Sequence, residues 1–147
     1  MELVSHTNKF KKTLEGITES KEWNFWKVEE IEKTLEENHN HLFYLFDGGN
    51  VDIPKGLVLF SIVENNIEIL YLFVQKTYRK QGFGLLILSK LEDYFQNKIE
   101  GSLNMYFEVR ASHDGTIRLY EKFGARKIGV RKKYYSDLED AFIYLKS

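Results

Sequence analysis

Between an apolar run ending at Val74 and a leucine-rich run after Gly84, the chain reads Gln75-Lys76-Thr77-Tyr78-Arg79-Lys80-Gln81-Gly82-Phe83-Gly84. Two glycines at such a junction free the backbone to curl, so that successive N–H groups and the first turn of a following helix face one concavity. A concavity of that kind binds phosphate, and Arg79 and Lys80 place positive charge at its rim. A plain strand-to-helix turn with solvated bases has the same composition. The Walker pattern Gly-x-x-x-x-Gly-Lys-Ser/Thr is absent and the spacing does not match the Rossmann Gly-x-Gly-x-x-Gly. Nucleotide hydrolysis and hydride transfer therefore lose support, and the chemistry left is binding of a pyrophosphate-bearing ligand, largely by main-chain donors.

A second set of polar residues lies on 103–111. Leu103, Met105, Phe107 and Val109 alternate with Asn104, Tyr106, Glu108 and Arg110, so a strand here turns Glu108 outward or into a cleft. An acid beside an arginine on a strand is more often a surface ion pair. Tyr120, in Leu119-Tyr120-Glu121-Lys122-Phe123-Gly124, also reads as a packed helical aromatic. Tyr134 and Tyr135 follow Lys132-Lys133; adjacent strand residues point to opposite faces, so both cannot be core on a one-sided sheet, and one is free to line a groove. His39 and His41 flank Asn40 in an expected loop without the acids or cysteines of a metal site, and no metal is expected.

The elements that carry these residues follow from periodicity. Phe10, Leu14 and Ile17, then Val28, Ile31 and Leu35 within 26–37, give two amphipathic helices in the first third. Runs at 42–46, 56–64 and 67–74 read as an antiparallel meander, with Glu64-Asn65-Asn66 as a tight turn and Pro54 in the connection 48–55. Leu85, Leu88, Leu91 and Phe95 mark a helix ending near Gly101. A strand at 103–111, a short helix at 116–123 and strands at 125–133 and 141–146 complete the chain. Strands followed by crossover helices predict a partly parallel second half.

Composition narrows the classes. A chain of 147 residues with 43% hydrophobic and 29% charged residues suits one globular domain, 1–147, and fits collagenous, disordered and membrane classes poorly. Zero cysteines exclude disulfides, a thiolate nucleophile, iron–sulfur clusters and sulfur-built zinc sites. No apolar run reaches the roughly 20 residues of a spanning helix, and no signal-peptide layout opens the chain, so a cytoplasmic protein without a membrane partner is expected. Residues through Leu72 include 7 basic and 13 acidic, and the rest include 14 basic and 9 acidic. The second half is therefore the one suited to an anion. Nucleic acid is not an expected direct partner, because the net charge is -1 and no basic helix or aromatic-rich RNA motif occurs.

The segment Arg79-Lys80-Gln81-Gly82-Phe83-Gly84 resembles the acyl-coenzyme A loop of GNAT N-acetyltransferases, Gln/Arg-x-x-Gly-x-Gly/Ala. Phe107-Glu108-Val109-Arg110-Ala111-Ser112-His113, Leu119-Tyr120-Glu121-Lys122-Phe123-Gly124-Ala125, Arg131-Lys132-Lys133-Tyr134-Tyr135 and Glu139-Asp140-Ala141 follow in order. As a set, spanning residues 70–147, these resemble the RimI-type branch, which acetylates the N-terminal amine of a small-subunit ribosomal protein. The first 65 residues match loosely, around 23–35.

The resemblance implies an α/β GNAT fold: a mixed, mostly antiparallel central sheet with helices on both faces and acetyl-CoA entering where two parallel strands splay. It implies Glu108 as general base and Tyr120 as general acid. It also implies main-chain contacts to the pantetheine arm from Leu72, Phe73 and Val74, and a pyrophosphate site at Arg79, Lys80, Gln81, Gly82, Phe83, Gly84 and Leu85. His113 stands where the branch carries a coenzyme-contacting asparagine, and Gln75-Lys76 where it often carries proline. Tyr134 and Tyr135 fall where the branch contacts the acceptor peptide. With no cysteine to carry the acetyl group, direct transfer in a ternary complex is expected. The implied function is acetylation of a protein N-terminus. A small amine, such as a polyamine, amino acid or aminoglycoside, is the alternative acceptor, and a non-catalytic acyl-CoA sensor is the alternative class.

Overall fold

Alternation along the strands sorts side chains onto two faces, and each face is covered by its own pair of helices. The computed structural model describes residues 1–48 and 53–147. Among the described residues, β1 (Glu2–Ser5), β2 (Asn40–Phe46), β3 (Gly56–Val63), β4 (Asn66–Val74), β5 (Asn104–Arg110), β6 (Arg126–Arg131) and β7 (Ala141–Lys146) form one sheet in the order β1-β2-β3-β4-β5-β7-β6. The helices are α1 (Lys11–Thr18), α2 (Val28–Thr34), α3 (Phe83–Gln96) and α4 (Asp114–Phe123). Every neighbouring pair of strands is antiparallel except β4 with β5. The expected mixed sheet with helices on both faces is the observed one.

Strand β2 shows the sorting. Leu42, Tyr44 and Phe46 pack with Leu14 and Ile17 of α1 and Ile31 of α2, whereas Phe43 and Leu45 join Ile87, Leu88 and Leu91 of α3 in the other core. Tyr120 and Phe123 bring α4 onto that second core against Met105 and Phe107. A side chain such as Leu14, Ile31 or Leu88 that leaves water entirely contributes about 1.5–3 kcal/mol. The two cores therefore fix the helices to the sheet, and the helices in turn place the loops described below.

Two irregularities in β4 create a gap. Leu59 pairs with Tyr71 while Phe60 pairs with Ile69, so Leu70 is an extra residue opposite β3. The bulge breaks the alternation: Leu70 and Tyr71 both pack toward the α1/α2 core, and Leu72 and Val74 pack toward the α3/α4 core. On its other side, β4 pairs with β5 only from Asn66↔Asn104 to Ile69↔Phe107. Beyond that point the parallel strands part, while β5 stays paired with β7 as far as Arg110↔Ala141.

Several expectations are corrected. The start of the first third is not helical: Glu2–Ser5 pairs antiparallel with β2. A four-residue strand is too short to show a period, and it exists because β2 offers a free edge. The helix expected over 26–37 is confined to Val28–Thr34, and His41 lies in β2 rather than a loop, its ring stacked on Phe60 at 5.4 Å. The strand expected at 125–133 stops at Arg131, so Tyr134 and Tyr135 lie in the β6–β7 connection and not on a strand. Lys133, with φ 50°, turns the chain there, and its N–H donates to Asp140 Oδ1 at 2.9 Å. In the second half β7 sits between β5 and β6, so β4–β5 is the one parallel pair of the sheet among the described residues. The connection expected over 48–55 lies partly outside the described residues.

Candidate active site

The gap between β4 and β5 opens into a cavity of about 620 Å³, within the range of small-molecule sites. Residues 68–72 of β4 and 108–110 of β5 form its floor; His113, Thr116 and Tyr120 close one side, and residues 24–26 with Tyr134 and Tyr135 close the other. The structure thus brings together Leu72, Glu108, His113, Tyr120, Tyr134 and Tyr135 of the residues singled out in the sequence.

Glu108 and Tyr120 reach this space from opposite faces of the sheet. Phe107 and Val109 face the α3/α4 core, so Glu108 points the other way, and its Oε1 lies 3.4 Å from Arg131 Nη1. Tyr120 comes from α4, its ring 4.3 Å from that of Phe107 and 6.4 Å from that of Tyr144. Burial, with a smaller contribution from Tyr135, holds the Tyr120 phenol well above its ordinary range, so it carries its proton at neutral pH. A carboxylate able to accept a proton and a phenol able to donate one therefore line one cavity.

The loop before α3 has the curl expected of it, from one glycine rather than two. Lys80 (φ 60°) and Gly82 (φ 85°) are left-handed, and Gly82 caps α3 without a side-chain bond. The first N–H to close onto the cap is that of Leu86, which donates to Gly82 O at 3.0 Å. The N–H groups of Phe83, Gly84 and Leu85 precede it and point out of the helix end. A Cβ at Gly82 would meet nothing within 4 Å, so the space in front of this end is open, as a phosphate requires. Gly84 meets a different neighbour: a Cβ there would come 3.0 Å from Leu119 Cδ2, where α4 packs on α3. Gln81 braces the loop by donating from Nε2 to Thr77 O at 3.0 Å.

Arg79 does not stand free at the rim. Its Nε donates to Val74 O at 2.8 Å, serving a carbonyl that β4 leaves at its end, and the guanidinium lies 5.5 Å from the Phe73 ring centroid. Lys80 remains exposed. The Phe73 side chain is in the α1/α2 core, so only its main chain faces a ligand. His113 is exposed at the start of α4; its N–H donates to Arg110 O and its carbonyl accepts from Ile117 N–H, both at 3.0 Å, leaving the imidazole unused by the helix.

Sequence reading missed Phe25, Trp26, Tyr71 and Arg110. Trp23-Asn24-Phe25-Trp26 carries three aromatics off the helical stripe, and that was the available signal. Trp23 Nε1 donates to Trp26 O at 2.8 Å, which folds the α1–α2 connection so that Phe25 stacks on Tyr71. Arg110 ties β5 to the β6–β7 connection through Asp137 and Glu139. Glu139 also accepts from Ser112, and the bonds to Ser112 and Arg110 pull its carboxyl down to about 2.

Known proteins share this fold. The family model for acetyltransferases of the GNAT family matches residues 8–125. The chain is 35% identical over 80 residues to the [ribosomal protein bS18]-alanine N-acetyltransferase of Haemophilus influenzae, covering 54% of this chain and 53% of that one. The chain spans just over half the length of the curated relatives it matches. The crystal structure of the ribosomal-protein-S18-alanine N-acetyltransferase from Escherichia coli superposes with a TM-score of 0.81 at 23% identity, covering 98% of this chain and 91% of that one. Arabidopsis thaliana NAA60 in complex with acetyl-CoA gives 0.79 at 18% identity, with 99% and 97% covered. These likenesses establish the fold.

Proposed function

Because the chain belongs to the acetyltransferase (GNAT) family, we propose that it moves an acetyl group from acetyl-CoA to the free N-terminal amine of a protein, directly and within a ternary complex. The observation that carries this reading is the convergence of Glu108 and Tyr120 on one cavity at the parting of β4 and β5. The names of the relatives make a ribosomal protein the first acceptor to test.

The residues fit acetyl-CoA. The edge of β4 beyond Ile69 is unpaired toward β5 and offers main-chain groups to the pantetheine amides, through Leu72, Phe73 and Val74. The open end of α3, with Lys80, Gln81 and Gly82 before it, offers N–H groups to the pyrophosphate. His113 reaches the coenzyme from the start of α4, and Arg79 acts through its hold on Val74. The acceptor enters past Phe25, Trp26, Tyr134 and Tyr135.

In the reaction, a C–N bond forms at the thioester carbonyl and the C–S bond breaks. Glu108 takes the proton that the amine loses, directly or through water, and the Tyr120 phenol gives one to the departing sulfur. Glu108 also borders a second cavity of about 340 Å³, lined with it by Glu68, Tyr106 and Arg131, which gives its proton a route to solvent. An α-amine suits such a base, because its reference pKa of about 7.7–8.0 leaves a neutral fraction near pH 7 that lysine, at about 10.4, does not.

The test is thiol release from acetyl-CoA against peptides with free N-termini, an N-blocked lysine peptide, spermidine and an aminoglycoside. Turnover confined to free N-termini, with kcat falling about 100-fold or more in Glu108→Gln at unchanged acetyl-CoA affinity, is the expected result. Preference for spermidine or the aminoglycoside overturns the acceptor. Tight acetyl-CoA binding without turnover of any acceptor favours a sensor.

A further inference from the structure

The connection 132–140 carries Tyr134 and Tyr135 across the mouth of the cavity, and its own sequence does not make it keep one shape. It contains neither glycine nor proline, yet Lys133 (φ 50°) and Leu138 (φ 68°) both hold left-handed backbone. Side-chain-bearing residues stay there only where the surroundings over-determine them.

Within the connection Leu138 N–H donates to Tyr135 O at 2.8 Å and Tyr135 N–H to Glu139 O at 3.2 Å, and two further groups of bonds tie it to its surroundings. At the base, Asp140 accepts from Lys132 Nζ at 3.2 Å and from Lys133 N–H at 2.9 Å, and its carbonyl accepts from Ala111 N–H at 3.0 Å. Nearer the tip, Arg110 Nη1 donates to Asp137 Oδ2 at 2.8 Å and to Glu139 Oε2 at 3.0 Å. The other oxygen of Glu139 accepts from Ser112 N–H at 2.8 Å, and Asp137 Oδ1 accepts from Glu139 N–H at 3.1 Å. The Arg110 guanidinium lies 4.0 Å from the centroid of the Tyr135 ring. A single side chain therefore engages two of the three carboxylates of the connection and one of its two tyrosines.

An isolated exposed ion pair contributes little, but this one is a network with charge-assisted bonds, main-chain donors and a stacked ring. Its origin matters as much as its size. Arg110 is two residues beyond Glu108 on β5, so the strand that presents Glu108 also presents the anchor of the facing wall. The bonds of Arg110 do no work for the fold of β5, which β7 already pairs along its length.

We propose that Arg110 is a positioning residue that latches the 132–140 connection over the acceptor side of the cleft, so that Tyr134 and Tyr135 are held at a fixed distance from Glu108. The inference rests on the acetyl-transfer reading above for the identity of what the wall contacts, and on geometry alone for the latch. It predicts an effect mainly on the acceptor, because the acetyl-CoA sites on β4 and at the end of α3 do not touch the connection and His113 meets Arg110 only through the main chain.

Arg110→Met is expected to raise the KM for the peptide acceptor about 10-fold, the size of one lost charge-assisted contact, with the acetyl-CoA Kd within about twofold of wild type. Amide hydrogen exchange at 132–140 is expected to accelerate while that of β5 and β7 does not. Arg110→Lys is expected to recover most of the KM, because one ammonium can serve both carboxylates, though it gives up the flat contact with Tyr135. An unchanged KM, an equal loss of kcat and acetyl-CoA affinity, or unchanged exchange at 132–140 overturns the proposal. Should Arg110→Met not fold, Glu139→Gln weakens the same latch from the other side and is judged by the same readings. If wild type acetylates no peptide, the acceptor reading fails, and the exchange measurement still decides the latch.

Discussion

The rings of Phe25 and Tyr71 lie 4.2 Å apart with planes within 1° of parallel, joining the α1–α2 connection to the strand just past its bulge. Trp26 stacks on Phe25 at 4.6 Å and Trp23 meets Tyr71 edge-on at 4.9 Å. An aromatic wall built from the weakly matching first third thus lines the cavity together with the tyrosines of the β6–β7 connection. The proposed function gives this wall to the acceptor, and the edge of β4 and the end of α3 to acetyl-CoA.

Removing Phe25 tests that division. A stacked aromatic pair is worth about 0.5–1.5 kcal/mol, so Phe25→Ala is expected to raise the acceptor KM about 3- to 10-fold. Isothermal titration is expected to show an unchanged acetyl-CoA Kd. Weakened acetyl-CoA binding with an unaltered acceptor KM would place the wall on the wrong substrate.

Tyr120→Phe separates chemistry from packing. The ring stays on Phe107 and only the hydroxyl is lost, so kcat is expected to fall about 100-fold with little change in melting temperature. Wild type keeps its Tyr120 proton above pH 10.0, where an unfolded tyrosine gives it up. The stabilisation from burying the neutral phenol is therefore present below that pH and lost as pH rises beyond it. Melting curves from pH 9 to 11 are expected to fall less steeply for Tyr120→Phe than for wild type.

The two loop glycines are expected to fail differently. Gly82→Ala puts a Cβ into open space but forces an alanine to φ 85°, costing about 1–2 kcal/mol of backbone strain that turns the N–H groups away from a phosphate. Its signature is a weaker acetyl-CoA Kd. Gly84→Ala crowds Leu119 and loosens α3 from α4, so its signature is a lower melting temperature. Identical behaviour of the two variants would refute the assignment of separate roles.

Acid should release the 132–140 connection before it unfolds the cores. Hydrogen bonds from Ser112 and Arg110 lower the Glu139 carboxyl from 4.5 to about 2. A depressed carboxyl contributes stability that is present above its unfolded value and is lost as pH falls toward its folded one. The protection of amides at 132–140 relative to their intrinsic exchange rates is expected to fall from pH 4.5 downward in wild type, and in Glu139→Gln to be low and nearly independent of pH over that interval.

Much of the site was legible because chemistry and periodicity coincided in the same short segments. Alternation at 103–111 placed Glu108 on the polar face, and the glycine pair located the end of α3. What escaped depended on tertiary context. The four residues of β1 have no readable period, and the Leu70 bulge that turns Tyr71 toward Phe25 is set by pairing with β3. Arg79 looked like a free rim charge because sequence does not show the Val74 carbonyl waiting for a donor. The sequence reads Tyr134 and Tyr135 as strand residues because nothing local announces that Lys133 turns the chain.

The short seam between β4 and β5 also bears on how the molecule assembles. The β3–β4 hairpin closes through a turn at Glu64 and Asn65, whereas the seam has four residue pairs and forms only after the crossover of residues 75–103 has folded back. Pairings that close long loops come late. The cleft is therefore made later than the hairpin beside it, and with four residue pairs holding the seam it is a place where the sheet can come apart. A ligand lying across it and touching both strands acts as a staple on the native state, slowing unfolding in proportion to how fully the cleft is occupied.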